Sequence, residues 1–286
     1  MSLTSRRHFL KASGAAVAAT CVGAPRLGAA PLHLPIGLQL YSVRELLPKD
    51  FAGTLAKVRA AGYTEVEAAG YYDKSAADFR KAMDAAGLSC ISTHHPMIVL
   101  KPRLDELIAY GQTLALNYMV CPSPTRKDPT AKGPLTLDDW RWTADELNKI
   151  GEKVNAAGMR FGYHNHTPEF GSEGGVVFYD ELLRITDPKL VFFEMDCGWV
   201  VAAGRNPVDY LSKTPERFPL LHVKDMAKGE NGAMHSTVMG HGVASYQPIL
   251  RAATGLKHYF IEQEEFDIDP IEALKFDAEY MRKLNV

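Results

Sequence analysis

Val58-Arg59-Ala60-Ala61-Gly62-Tyr63-Thr64-Glu65-Val66-Glu67 runs from the end of an amphipathic helix, through a glycine, straight into a short apolar strand. The same join recurs at Ala86-Gly87 before Ser89–His94, and at Ala157-Gly158 before Arg160–His166. Glycine there supplies the left-handed residue that ends a helix. A chain that repeatedly closes a helix and opens a strand alternates the two, and strict alternation demands a parallel sheet.

The strands expected from apolar runs are Ile36–Tyr41, Glu65–Ala68, Ser89–His94, Tyr118–Cys121, Arg160–His166, Leu190–Asp196, Leu220–Lys224 and His258–Glu262. Helical spacing marks Phe51–Ala61, Ala76–Ala86, Leu104–Leu116, Leu137–Ala157, Tyr179–Ile185, Pro207–Leu211, Tyr246–Ala253 and Pro270–Leu284. Asn206-Pro207 reads as a helix cap followed by proline at the first helical position. Eight of each within about 255 residues is the size of a (β/α)8 TIM barrel. The expectation is therefore one α/β barrel domain over residues 31–286. A doubly wound open sheet would carry a glycine-rich turn after its first strand, and Tyr41-Ser42-Val43-Arg44 has no glycine.

Residues 1–30 follow another logic. Basic residues are followed by the small and apolar run Ala12 to Gly23, then by Gly28-Ala29-Ala30, the pattern of an export signal too short to span a membrane. Ser5-Arg6-Arg7-His8-Phe9-Leu10-Lys11 resembles the twin-arginine signal at every fixed position. The expectation is a signal over 1–30, cleaved near Ala30, and a mature protein in the periplasm or another extracytoplasmic space with no membrane attachment. The signal's resemblance implies a folded cargo, its metal loaded before export. Cys21 follows Ala18-Ala19-Thr20, a poor lipid-attachment context.

Of 286 residues, 46% are hydrophobic and 23% charged, with a formal net charge of −2, enough apolar material for one large core. That charge gives no basic field for nucleic acid or anionic lipid. The remaining cysteines, Cys90, Cys121 and Cys197, are scattered and read as small buried residues rather than a disulfide framework or a zinc knuckle.

In such a barrel the chemistry sits where the strands end. The expected strands end in Glu67, His94-His95, His164-Asn165-His166, Asp196, His222 with Lys224, and Glu262 with Glu264. One histidine at a strand end is usually a hydrogen-bonded structural residue. Imidazoles and carboxylates at six converging ends would be costly to bury without a counter-ion. A single divalent cation answers that cost. Mixed nitrogen and oxygen ligands suit Mn²⁺, Zn²⁺, Co²⁺ or Fe²⁺ better than Ca²⁺.

Gly37-Leu38-Gln39-Leu40-Tyr41-Ser42, Tyr163-His164-Asn165-His166, Met195-Asp196-Cys197-Gly198-Trp199, His222-Val223-Lys224-Asp225 and Ile261-Glu262-Gln263-Glu264 resemble, in order and spacing, the xylose isomerase-like TIM-barrel superfamily over about Ile36 to Leu284. Its members include ketose 3-epimerases, inosose dehydratases and endonuclease IV. The resemblance implies a metal held by a glutamate, an aspartate, a histidine and a glutamate from strands five to eight. Asp196, His222 and Glu262 match. His164 stands where many relatives have the first glutamate, with Glu169 as another source of a carboxylate. Glu264 shares the parity of Glu262 and leaves the last ligand open to a slip by two.

The implied activity is a metal-dependent isomerase or epimerase, working on a free sugar or keto-sugar through a metal-stabilised enediolate. Glu262 or His164 would move the proton and Lys224 would stabilise oxyanion charge, unless it is a solvated lysine at a helix start. Glu67, His94, His166, Trp199 and Glu264 are expected against the substrate, with Tyr41 and Tyr71 as stacking surfaces and His95 turned into the barrel wall. Gly240-His241-Gly242 reads as a rim loop. Inversion at a carbon requires two opposed bases, which the resemblance implies are two glutamates in the epimerases, so His164 keeps a keto-sugar hydratase, dehydratase or lyase open as the alternative. A nuclease would need more metal ligands and basic surface; a sugar-binding barrel without catalysis is the remaining reading. The expected partner is a small carbohydrate, with homo-oligomerisation left open.

Overall fold

The computed structural model describes residues 33–230 and 232–286; the signal segment lies outside them. Eight parallel strands close a barrel: Gly37–Gln39, Glu65–Ala69, Ser89–His94, Tyr118–Cys121, Arg160–His164, Val191–Asp196, Leu220–Val223 and His258–Ile261. The seam is made by the first strand, which pairs with the second (Leu38 with Val66) and the eighth (Leu38 with Ile261). Helices cover the outside: α1 (Phe51–Ala61), α2 (Ala76–Ala86), α3 (Met97–Leu114), α4 (Leu137–Ala156), α5 (Phe178–Ile185), α6 (Cys197–Ala202), α7 (Pro207–Leu211), α8 (Tyr246–Ala252) and α9 (Pro270–Lys283). The alternation is thus a closed (β/α)8 barrel.

Local chemistry sets the joins. Gly62 (φ 106°), Gly87 (φ 69°) and Gly158 (φ 89°) occupy the left-handed region where α1, α2 and α4 end. Thr136 and Asp139 form a reciprocal capping box on α4, and the Asn206 side chain caps α7. Helix α3 begins earlier than Leu104: Pro102 bends the chain, leaving Arg103 non-helical (φ −125°, ψ 18°), and helical turns continue on both sides. Helix α6 and the antiparallel ribbon Asp225–Lys228/Met234–Thr237 were not foreseen, being too short for a periodic signal.

Inside the barrel, Tyr118, Val120, Phe192, Leu220 and Phe260 form an apolar plug. Two glycines make room for it. A β-carbon on Gly162 would stand 2.3 Å from the Phe192 ring, and one on Gly37 would stand 2.6 Å from the Phe260 ring. Above the plug the inward side chains turn polar, and that floor positions the site.

One buried acid lies away from it. Asp277 on α9 accepts a hydrogen bond from the Met239 amide, with Oδ2 unpaired, near Tyr63 and Asp225. Burial raises its carboxyl from 3.8 to about 7. Between those values the folded chain keeps a proton that the unfolded chain releases, so stability falls as pH rises from about 4 to 7, by on the order of 3 kcal/mol. Asp277→Asn should remove that decline, so the gap in melting temperature between variant and parent should widen in the variant's favour from pH 5 to pH 8. A constant gap would contradict the assignment.

Candidate metal centre and substrate cavity

Asp196 ends the sixth strand and begins α6. Its Oδ1 accepts the Trp199 amide hydrogen at 2.9 Å, which spends one oxygen on the helix cap. Oδ2 makes no hydrogen bond; Lys224 Nζ lies 3.0 Å from it, His222 Nδ1 3.8 Å and His164 Nε2 3.9 Å. His222 Nδ1 also faces Glu262 Oε2 at 3.0 Å. His164, Asp196, His222 and Glu262 therefore each offer a ligand atom, all within 4.8 Å of one another.

A second set lies beneath it. His94, His164, Glu194 and His222 satisfy the same distance, and Glu194 Oε2 lies 2.7 Å from His94 Nε2, 3.0 Å from His164 Nδ1 and 3.3 Å from His222 Nε2. His164 and His222 each turn one ring nitrogen to the upper set and the other to a carboxylate beneath it, Glu194 for His164 and Glu67 for His222. A histidine that binds a metal generally gives its other N–H to a carboxylate, which fixes tautomer and orientation. The upper set thus has the form of a metal centre, with Glu194 the orienting acceptor of His164 and Glu67 that of His222.

Glu67 completes the floor. It accepts from Gln39 Nε2 (2.7 Å), Ser92 Oγ (2.5 Å), His222 Nε2 (2.8 Å) and His94 Nε2 (2.8 Å). A register shift between the second and third strands helps bring Ser92 and His94 to it. Glu67 is wholly buried and does not line the cavity. The expectation that it touches substrate is corrected: its lone pairs are spent on the floor.

The charges fit a cation. Burial would raise the Glu262 carboxyl, but Lys224 and His222 outweigh it and hold it well below the usual range. Burial also opposes charge on His94 and Lys224, yet Glu67 and Glu194 lift His94 to about 9, and Asp196, Glu262 and Glu264 raise the lysine. Burial, with Glu67 beside it, pushes Glu194 up to about 7. Burial and His222 keep His164 well below 6.5, hence neutral and able to be a ligand. At the upper rim Asp196, Glu262 and Glu264 face Lys224 and the ring of His222, and a divalent ion taken up by the imidazoles and carboxylates would replace the proton that the carboxylates around His222 hold on it. The donor set, with an Asp196 Oδ2 that makes no hydrogen bond, fits such an ion.

Lys224 is completely buried rather than a solvated helix start, and the Trp199 ring covers its ammonium at 4.7 Å. Glu262 and Glu264 both reach Lys224, at 2.9 and 2.5 Å, but of the two only Glu262 also meets His222 and joins the candidate ligand set. Above the centre opens a cavity of about 790 Å³, whose walls include Tyr41, Tyr71, His94, His166, Glu262 and Glu264. Tyr71 stacks on Tyr110 at 3.7 Å, and His95 packs on Thr93 and Tyr71 in the wall. Glu169 stands apart from the centre: its Oε1 accepts from Tyr163 at 2.6 Å, so His164 fills the strand-five position. Glu194 was missed. It shares inward parity with Asp196 in Phe192-Phe193-Glu194-Met195-Asp196, so alternation alone could have found it.

Residues 55–284 match the family described as the xylose isomerase-like TIM barrel, and residues 4–23 match the twin-arginine translocation signal sequence. The chain belongs to that barrel family and carries that signal. A solved sugar phosphate isomerase/epimerase from Parabacteroides distasonis is 30% identical, with a TM-score of 0.74 over 89% of this chain and 98% of that one. An inosose dehydratase from Clostridium beijerinckii is 32% identical over 131 residues, 40% of this chain and 42% of that protein. The inosose dehydratases it matches are spanned over 42% to 57% of their length. The structure of an IOLI protein with a zinc atom, 12% identical, with a TM-score of 0.68 over 86% of this chain and 96% of that one, shares the fold alone. No helix among the described residues is long and apolar enough to cross a membrane.

Proposed function

We propose that this barrel is a metal-dependent enzyme that removes a proton beside the carbonyl of a sugar or keto-sugar, as an isomerase or epimerase. The reading is carried by the convergence of His164, Asp196, His222 and Glu262 beneath an open cavity. The likeness to the isomerase/epimerase over nearly its whole length supports it. An ion held by those four residues would supply Lewis acidity to the carbonyl and a neighbouring hydroxyl. Glu262, ionised at the cavity floor, is placed to take the proton. Lys224 keeps its positive charge beside the developing oxyanion, and Trp199 limits water around it. His166, lowered to about 4 by burial and Lys224, is neutral in the wall and can hydrogen-bond a hydroxyl.

Dehydration is the second reading, favoured by the likeness to inosose dehydratases and by an imidazole where a second carboxylate would serve inversion. The twin-arginine signal supports work outside the cytoplasm, in the periplasm, on a free sugar rather than a phosphorylated one. Sugars and keto-glycosides incubated in D₂O with protein holding Zn²⁺, Mn²⁺ or Co²⁺ test the proposal. Deuterium beside the carbonyl at unchanged composition indicates isomerisation, and loss of water indicates the dehydratase. Turnover that survives chelation and verified metal removal would refute both.

A further inference from the structure

The segment that follows the eighth strand, Gln263-Glu264-Glu265, is gripped through its backbone. The Gln263 amide donates to Ser42 Oγ at 3.1 Å, and the Glu264 and Glu265 amides donate to Ser236 Oγ at 2.7 and 3.0 Å. The Glu264 carbonyl accepts from the Arg44 guanidinium at 3.1 Å, and the Glu265 carbonyl from the Gln263 side chain at 2.8 Å. Loops are ordinarily the loose parts of a barrel, and bracing on this scale points to a side chain whose place matters. That side chain is Glu264, in the wall of the cavity above the metal centre. Its Oε1 accepts from Lys224, while Oε2 takes no hydrogen bond from any described residue. Oε2 is not sealed in the interior as Asp196 Oδ2 is, and the side chain is 22% exposed.

The guanidinium that holds the Glu264 carbonyl also donates to the Tyr41 carbonyl at 3.0 Å and lies 4.2 Å from the centre of the Tyr41 ring. Tyr41 lines the same cavity and is 42% exposed. Arg44 therefore backs one face of the ring and leaves the opposite face free. The cavity's other charged walls are committed elsewhere: Arg103 pairs with Glu106, the Lys74 ammonium lies over the Phe51 ring at 4.5 Å, and Asp73 is exposed. An aromatic face beside a free carboxylate oxygen suits a carbohydrate, whose C–H groups pack on the ring while a hydroxyl donates to the oxygen. An anionic substituent there would meet both Glu262 and Glu264, so the group taken is neutral. We infer that Tyr41 and Glu264 form one sugar-holding wall, Tyr41 against the ring face and Glu264 Oε2 accepting from a neutral hydroxyl, and that Arg44 is the positioning residue that sets both. The inference rests on the sugar-enzyme reading above and deepens it by naming the group recognised.

Titration calorimetry of D-glucose, D-fructose and D-xylose into the metal-loaded protein tests it. For the sugar that binds best, Glu264→Gln should weaken affinity by about tenfold or more, the scale of a lost hydrogen bond to a charged group, and Tyr41→Ala by about three- to tenfold. Arg44→Met should weaken it by about tenfold in the parent but by about threefold or less when added to Glu264→Gln, because part of its effect passes through that carboxylate. A residue that merely holds the fold together would cost the same factor in both backgrounds. If Arg44→Met does not fold, Ser236→Ala frees the Glu264 amide from the other side and should show the same dependence on background. Affinity unmoved by Tyr41→Ala or by Glu264→Gln, or an equal factor for the positioning variant in both backgrounds, overturns the inference and leaves metal-dependent deuterium exchange intact. Failure of all three sugars to bind overturns it as well, and absence of exchange with any sugar overturns the enzymatic reading beneath it.

Discussion

Asp196→Asn protein should hold less than a tenth of the divalent ion that the parent holds after dialysis against the same metal, and its turnover should fall by about 10³-fold or more. Asparagine is the informative choice. It keeps an oxygen to accept the Trp199 amide at the start of α6, so the helix cap survives, while the charge on the other oxygen is lost. Asp196→Ala removes both, and should add a stability cost of about 1 kcal/mol for the cap. Elemental analysis beside thermal melts separates the two effects. A full complement of ion in the asparagine variant would place the metal elsewhere.

Glu194→Gln should weaken the metal by about 10- to 100-fold, measured by competition with a chelator of known affinity. The glutamine has nearly the same shape but cannot serve as the carboxylate acceptor shared by His94 and His164. Without it, the tautomer that leaves His164 Nε2 free toward the upper rim is no longer enforced. The pair of variants also distinguishes the two overlapping donor sets. If the ion belonged to the lower set, Glu194→Gln would abolish binding and Asp196→Asn would spare it.

The alternation of strands and helices was legible because each glycine join is a local event, visible in a few residues. Placing Asp196, His222 and Glu262 at strand ends followed from the same boundaries, and the barrel's closure brings them together. Glu194 escaped because only the last residue of the sixth strand was taken, although inward parity runs through the whole strand. The saturation of Glu67 was beyond reach, since it depends on a register shift between two strands and on Gln39, Ser92, His94 and His222 meeting in space. Whether Lys224 is buried near the centre or solvated was left open by the sequence for a similar reason. A lysine near a strand end is ordinarily solvated, and only the packing of Trp199 and three carboxylates makes it an interior residue.

The Gly240-His241-Gly242 segment is held from within. The carboxylate of Asp225, almost fully buried, accepts hydrogen bonds from the amides of Met226, Gly240, Gly242 and Ala244, and a β-carbon on Gly242 would stand 2.2 Å from its Oδ1.

The interior ammonium of Lys224 has a bearing on how the molecule is born. Many small metalloproteins cannot assemble until their ion arrives, because their ligands would otherwise repel one another. Here the polypeptide brings its own cation to Asp196, Glu262 and Glu264, which lessens their mutual repulsion as the last strands dock. Maturation can then proceed in two separate acts, first closure of the chain and afterwards capture of the ion.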